Sequence, residues 1–142
     1  MDSIGELLER KGREVWSVGP DQTVREAIQI MADRSAGALA VVEEGQLVGI
    51  LSERDYTRKI ALQGRSSKDT RVREIMTLRV IYAQLEQSIE DCMAIMNKHD
   101  IRHMPVLDDE KLVGMLSLKD LVTVIIEKQQ TLIEELETYI MG

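Results

Sequence analysis

Phenylalanine is absent from this chain of 142 residues, tryptophan occurs once (Trp16) and tyrosine three times. The hydrophobic interior must therefore be aliphatic, drawn from Val, Ile, Leu and eight Met. The flat platforms on which single-stranded nucleic acids stack are missing. Cysteine also occurs once, at Cys92, which excludes an internal disulfide and fits a reducing cytoplasm. Basic charge is short: 18 Lys and Arg stand against 25 Asp and Glu, a net charge of -7. Such a surface repels nucleic acids and anionic headgroups, yet tolerates a small anion in a locally basic cleft. The longest mainly apolar stretch, Leu121 to Ile126, is far too short to cross a bilayer. The opening residues, Met1-Asp2-Ser3-Ile4-Gly5-Glu6, lack the basic-then-apolar pattern of a secretory leader. The expectation is a cytoplasmic protein with neither a nucleic-acid nor a membrane partner.

Chemistry-bearing motifs are few. There is no GxGxxG or GxxxxGK[ST] phosphate loop and no Ser/His/Asp or Cys/His grouping. His99 and His103 are four apart, but Asp100-Ile101 between them reads as a helix end, so no metal site is expected. Cys92 falls on an apolar helix stripe and reads as buried and inert.

What the chain does contain is a repeat. Shifted by 65 residues, Pro20–Ile60 lies on Leu85–Ile125 without a gap, and 11 of the 41 pairs are identical. Average composition gives about two or three. The identities include Val41/Val106, Gly49/Gly114, Leu51/Leu116, Ser52/Ser117 and Asp55/Asp120. A repeat fixes the architecture before any other consideration.

Each copy reads as strand, helix, strand, strand, helix. In the first, Glu14–Val18 is a strand ended by Gly19-Pro20. Thr23-Val24-Arg25-Glu26 caps a helix whose stripe is Val24, Ala27, Ile28 and Met31. Ala38–Val42 and Leu47–Leu51 make a hairpin across Glu43-Glu44-Gly45, and Ser52-Glu53-Arg54-Asp55 opens another helix. In the second, Val80–Ala83 is the first strand and Ser88 caps a helix carrying Ile89, Cys92, Met93 and Met96. Met104–Leu107 and Leu112–Leu116 form the hairpin, and Ser117-Leu118-Lys119-Asp120 begins the last helix. Its turn, Asp108-Asp109-Glu110, has no glycine, which predicts a different turn geometry.

One copy is too small for a robust core, so two must pack together. The expected fold is α/β (α+β), with two β-α-β-β-α units packed about a pseudo-twofold axis and two related clefts between them. The units are placed at residues 8–66 and 73–128. Gln63–Asp69 is a polar, flexible linker, and 129–142 extends the last helix toward a partner subunit. Ile4, Leu7 and Leu8 mark a short N-terminal helix outside the repeat.

The pieces Gly49-Ile50-Leu51-Ser52-Glu53-Arg54-Asp55, Arg73-Glu74-Ile75-Met76-Thr77, Arg102-His103-Met104-Pro105-Val106 and Gly114-Met115-Leu116-Ser117-Leu118-Lys119-Asp120 recur in this order and spacing. Over about residues 10–128 the chain resembles a tandem CBS-domain pair, or Bateman module. It is similar to the stand-alone bacterial two-CBS proteins, which carry no attached enzyme. The resemblance implies a regulatory module, not an enzyme, that binds an adenine nucleotide (AMP, ATP or NAD(H)) between its copies and acts on an unknown protein target. It also implies a homodimer. The alternative is an interaction adaptor whose clefts are empty or take another ligand such as S-adenosylmethionine.

Site residues follow from the same resemblance. Asp55 and Asp120 would hold ribose, with Ser52 and Ser117 near phosphate or ribose; as helix caps alone these four need no ligand. Arg54, Lys119, Arg102 and His103 are the phosphate candidates, beside Met104 and Pro105. Thr77 lies in the Arg73–Thr77 motif. Adenine would lie against Ser17, Val18, Leu39 and Val80, with Ile50, Met104 and Met115 as apolar wall. The first copy has Gly37-Ala38 where the second has Arg102-His103, so the clefts should not be equivalent.

Overall fold

The computed structural model describes residues 2–141; Met1 and Gly142, the end of the expected helix extension, lie outside it. The first copy comprises α1 (Ile4–Lys11), β1 (Ser17–Val18), α2 (Val24–Arg34), β2 (Ala38–Glu43), β3 (Gln46–Ser52) and α3 (Glu53–Tyr56), the last running into a π-helical turn, Thr57–Ala61. The second comprises α4 (Val72–Ile75), α5 (Ile89–His99), β4 (His103–Asp108), β5 (Lys111–Ser117) and α6 (Leu118–Met141). Thr23 and Ser88 cap α2 and α5 as the sequence predicts, each side chain accepting from the backbone N–H three residues on. Both helices end on a left-handed residue, Ser35 and Asp100.

The hairpins match across the repeat. β2 pairs antiparallel with β3, and β4 with β5, each with one irregularity, at Val41/Val42 and Val106/Leu107. Contrary to the sequence expectation, the second turn keeps the geometry of the first. Glu44 and Gly45 have φ of 50° and 77°, and Asp109 and Glu110 have 50° and 66°. The strand twist demands this pair of positive angles whether or not glycine is present. Glu110 therefore carries a strain that Gly45 does not. Glu110→Gly is expected to stabilise the protein by about 1 kcal/mol, read as a melting temperature higher by a few degrees; an unchanged or lower value would contradict the strain.

The first strand differs between copies. β1 pairs parallel with β2, Val18 opposite Val41, and Ala40 N–H donates to the Trp16 carbonyl. Of the expected strand Val80–Ala83, only Ala83 pairs, as an isolated bridge to Val106. The reason is Pro105, which stands where the first copy has Ala40 and has no N–H to give to Ile81.

Two aliphatic cores result, and each is closed by a helix from the other copy. Val72, Ile75 and Met76 of the α4 segment join Val24, Met31, Leu39 and Leu51 in the first core. Ile4, Leu7 and Leu8 of α1 join Ile89, Met96, Met104, Leu116 and Leu121 in the second. Backbone bonds fix the exchange: Ile4 and Gly5 donate to Gln87 and Leu85, as Val72 and Arg73 donate to Gln22 and Pro20. Close approach occurs at the strand glycines, where a Cβ on Gly49 would meet Met76 Sδ at 2.8 Å and one on Gly114 would meet Leu8 Cδ1 at 2.8 Å. Leu8 thus stands in the place of Met76, and α1 sits three residues off the 65-residue register. It runs one turn further than α4 before the chain rejoins the repeat at Trp16/Ile81.

The connection expected to be a flexible linker is stitched down. Ser67 and Thr70 carbonyls accept from the N–H groups of Arg25 and Val24, the unsatisfied donors of the first turn of α2. Thr70 is itself buried and donates to the Ser66 carbonyl. From Gln129 onward every described residue of α6 is exposed.

Candidate functional site

Two clefts lie between the copies, and each takes one wall from each copy. The first, about 420 Å³, sets Ile50, Ser52, Arg54 and Asp55 of the first copy against His99–His103 of the second. The second, about 490 Å³, sets Met115, Ser117, Lys119 and Asp120 against Arg34–Ala38. The two walls correspond at the 65-residue shift, so the pseudo-twofold arrangement expected from the repeat is the one formed. Gly37 and His103 line both clefts. A Cβ on Gly37 would lie 2.9 Å from His103 Nε2, so the imidazole rests directly on that backbone. Burial pushes the His103 pKa below its ordinary value, against the opposing pull of Glu53.

The Ser-x-x-Asp motifs fold alike. Asp55 Oδ2 accepts from Ser52 N–H at 2.9 Å, and Asp55 N–H donates back to Ser52 Oγ at 3.2 Å. Asp120 and Ser117 repeat this at 2.8 and 3.2 Å. The second oxygen of Asp55 accepts from Thr77 Oγ1 at 3.2 Å and meets Lys59 Nζ at 3.1 Å. Thr77 is placed there by a reciprocal backbone bridge to Ile50. Asp120 has a different partner: Lys11 Nζ, from the extra turn of α1, lies 2.6 Å from its carboxylate and 2.5 Å from the Met115 carbonyl.

The first cleft is rich in arginine. Arg54 crosses it to the left-handed Asp100, donating to the carbonyl at 2.5 Å. Arg102 lines the same cleft, and so do Arg58 and Arg79, which sequence reasoning missed. Arg58 follows Arg54 by one helical turn, a spacing that could have found it; Arg79 carries no such signal. Among the described residues no group of His, Cys, Asp and Glu has the geometry to hold a metal ion.

Of the expected base wall, Ile50 lines the first cleft and Met115 the second, and the other candidates line neither. Val18, Leu39 and Met104 are buried in the cores, and Pro105 is buried beside them. None of the four lines either cleft, because these strands are covered on both faces. Ser17 is exposed and Val80 half-buried, and neither lines a cleft. The apolar wall of the first cleft is Ile50, Ile81 and Ile101. Cys92 is buried as expected, and burial pushes its thiol up to about 11.

A family description of the CBS domain matches twice, over residues 4–62 and 72–127. The chain belongs to the CBS domain family. A CBS domain-containing mitochondrial protein of Arabidopsis thaliana, CBSX3, is 37% identical over 99% of this chain and 72% of its own length. A solved CBS-domain structure from Burkholderia ambifaria is 45% identical, covers 89% of this chain and 96% of that one, and superposes with a TM-score of 0.86. The CBS pair of protein MJ0100, solved with 5′-methylthioadenosine and S-adenosylmethionine, is 25% identical with a TM-score of 0.78, over 89% of this chain and 97% of that one. CBS-pair proteins are regulatory or signalling modules.

Proposed function

We propose that this CBS pair is a non-catalytic sensor of an adenosine-containing ligand, AMP, ATP or NAD(H), bound between its copies. The observation that carries the reading is the first cleft. A buried, capped carboxylate that can accept ribose hydroxyls faces four arginines suited to phosphate, in an otherwise acidic protein. Ser52, Asp55 and Thr77 form the ribose end, and Arg54, Arg58, Arg79 and Arg102 the phosphate end. Binding would shift the population between two inter-copy arrangements, to the extent that affinity for them differs. The adenosine-type ligands of the MJ0100 pair support the ligand class. Thermal unfolding tests it. A ligand at a hundred times its dissociation constant adds about 2.7 kcal/mol, several degrees here. If AMP, ATP, NAD and S-adenosylmethionine all leave the melting temperature unmoved, the adaptor alternative prevails.

The same reading includes a homodimer. Val122, Ile126, Ile133, Leu136 and Ile140 recur on α6 in alternating steps of four and three, with Gln129 filling the gap, and all five apolar side chains are exposed. An outlying helix of this length is marginal in water without a partner, and a seam of this spacing suits a second copy of itself. Leu136→Glu is expected to halve the sedimenting mass without unfolding either core; an unchanged mass would remove α6 from the interface.

A further inference from the structure

We infer that Lys11 is an internal competitor for the second cleft, so that an adenosine ligand enters the Asp55 cleft first and reaches Asp120 only by displacing the Lys11 ammonium. The inference rests on the nucleotide reading and adds to it the residue that ranks the two clefts.

Three observations converge. First, the cation at each carboxylate comes from a different direction. Lys59, four residues along from Asp55, bonds the Ile75 carbonyl and is not part of the cleft wall. Lys11 arrives from α1 and is part of the wall of the second cleft. Second, the single ammonium of Lys11 occupies both groups that Thr77 occupies in the first copy, the strand carbonyl and the aspartate. A neutral hydroxyl can rotate to accept from or donate to an incoming ribose oxygen. An ammonium between a carboxylate and a carbonyl has no acceptor to offer, and removing it takes the side-chain donor from the Met115 carbonyl and leaves Asp120 Oδ2 with only the Ser117 N–H. Third, the flat wall of the second cleft is also taken. Trp16 stands where the first cleft has Ile81, and the Arg34 guanidinium lies 4.2 Å from its ring centroid.

Accessibility does not explain the ranking, since the Asp120 side chain is the more exposed of the two carboxylates, 22% against 11%. What differs is the partner already in place. The longer α1 is the cause, because the extra turn that carries Lys11 has no counterpart after α4.

Calorimetric titration of the full chain with AMP tests this, using the wild type, Lys11→Met, Lys11→Gln and Asp55→Ala. The expected result is one strong site per wild-type chain and a weaker second step. Losing a charged hydrogen bond and a half-exposed ion pair places that step about tenfold or more below the first. Lys11→Met keeps the apolar stem, and should strengthen the second step about tenfold while leaving the first unchanged. Lys11→Gln, whose amide is neutral, should move it the same way. Asp55→Ala should abolish the first step only. Two equal sites in the wild type, or a second step that is unchanged or weakened in both Lys11 variants, would overturn the inference and leave the nucleotide reading standing. No AMP binding by any of the four proteins would overturn the inference, and the same failure with ATP and NAD would overturn the nucleotide reading as well.

Discussion

Leu8→Ala is expected to destabilise the protein by about 2–5 kcal/mol, a large share of the total stability of a chain this size. Leu8 lies outside the repeated segment, on the helix that opens the first copy. Yet it is fully buried in the core of the second copy, where its methyl carbons abut Gly114. Truncation leaves a cavity against a strand that cannot collapse inward without moving the hairpin. Leu132→Ala removes the same atoms from a site on α6 that is 55% exposed, and should cost under about 0.5 kcal/mol when the protein is dilute. Denaturant midpoints of the two variants make the comparison. If Leu8→Ala costs no more than Leu132→Ala, α1 is not part of the second core.

Asp55→Ala should lower affinity for an adenosine ligand at the first cleft about a hundredfold or more, because truncation removes the acceptor for two charge-assisted hydrogen bonds. The fold should survive with a moderate loss of stability. Ser52 would still begin α3, but its N–H, the Thr77 hydroxyl and the Lys59 ammonium would each lose a partner. Asp55→Asn separates the two effects, since it keeps the volume and a carbonyl acceptor. Its unfolding midpoint should lie near that of the wild type while affinity still falls. Retained affinity in both variants, measured by equilibrium dialysis, would show that Asp55 serves only as a helix cap.

Much of this was legible in the sequence because duplication makes each signal appear twice. Ser52/Asp55 and Ser117/Asp120 announced two helix starts and two matching cleft walls, and the structure places them so. The strand glycines Gly49 and Gly114 marked close packing, though not which helix would fill the space. What escaped lies where the copies differ. Pro105 erased a strand by lacking a single hydrogen, an effect that shows only when Ala40 and its bond to Trp16 are known. Glu110 was expected to change a turn that strand twist in fact dictates. Lys11 sits three residues out of register, so a gap-free comparison of the copies could not pair it with anything. Leu39 and Met104 entered the expected adenine wall but lie in the cores, because apolar strand residues look the same in sequence whether they face a cleft or a core, whereas Ile50 and Met115 do line the clefts.

The traded helices, α1 in one direction and the α4 segment in the other, limit how this molecule can respond to anything it binds. Neither half can swing away from its twin, because withdrawal would pull Leu8 or Met76 out of the opposite interior and wet it. A hinged clamshell is therefore excluded as a mode of action. The permitted motions are small shears and twists in which both interiors stay dry. Any message must pass as a slight reorientation of rigid blocks, magnified along α6, whose 24 residues make a lever some 36 Å long.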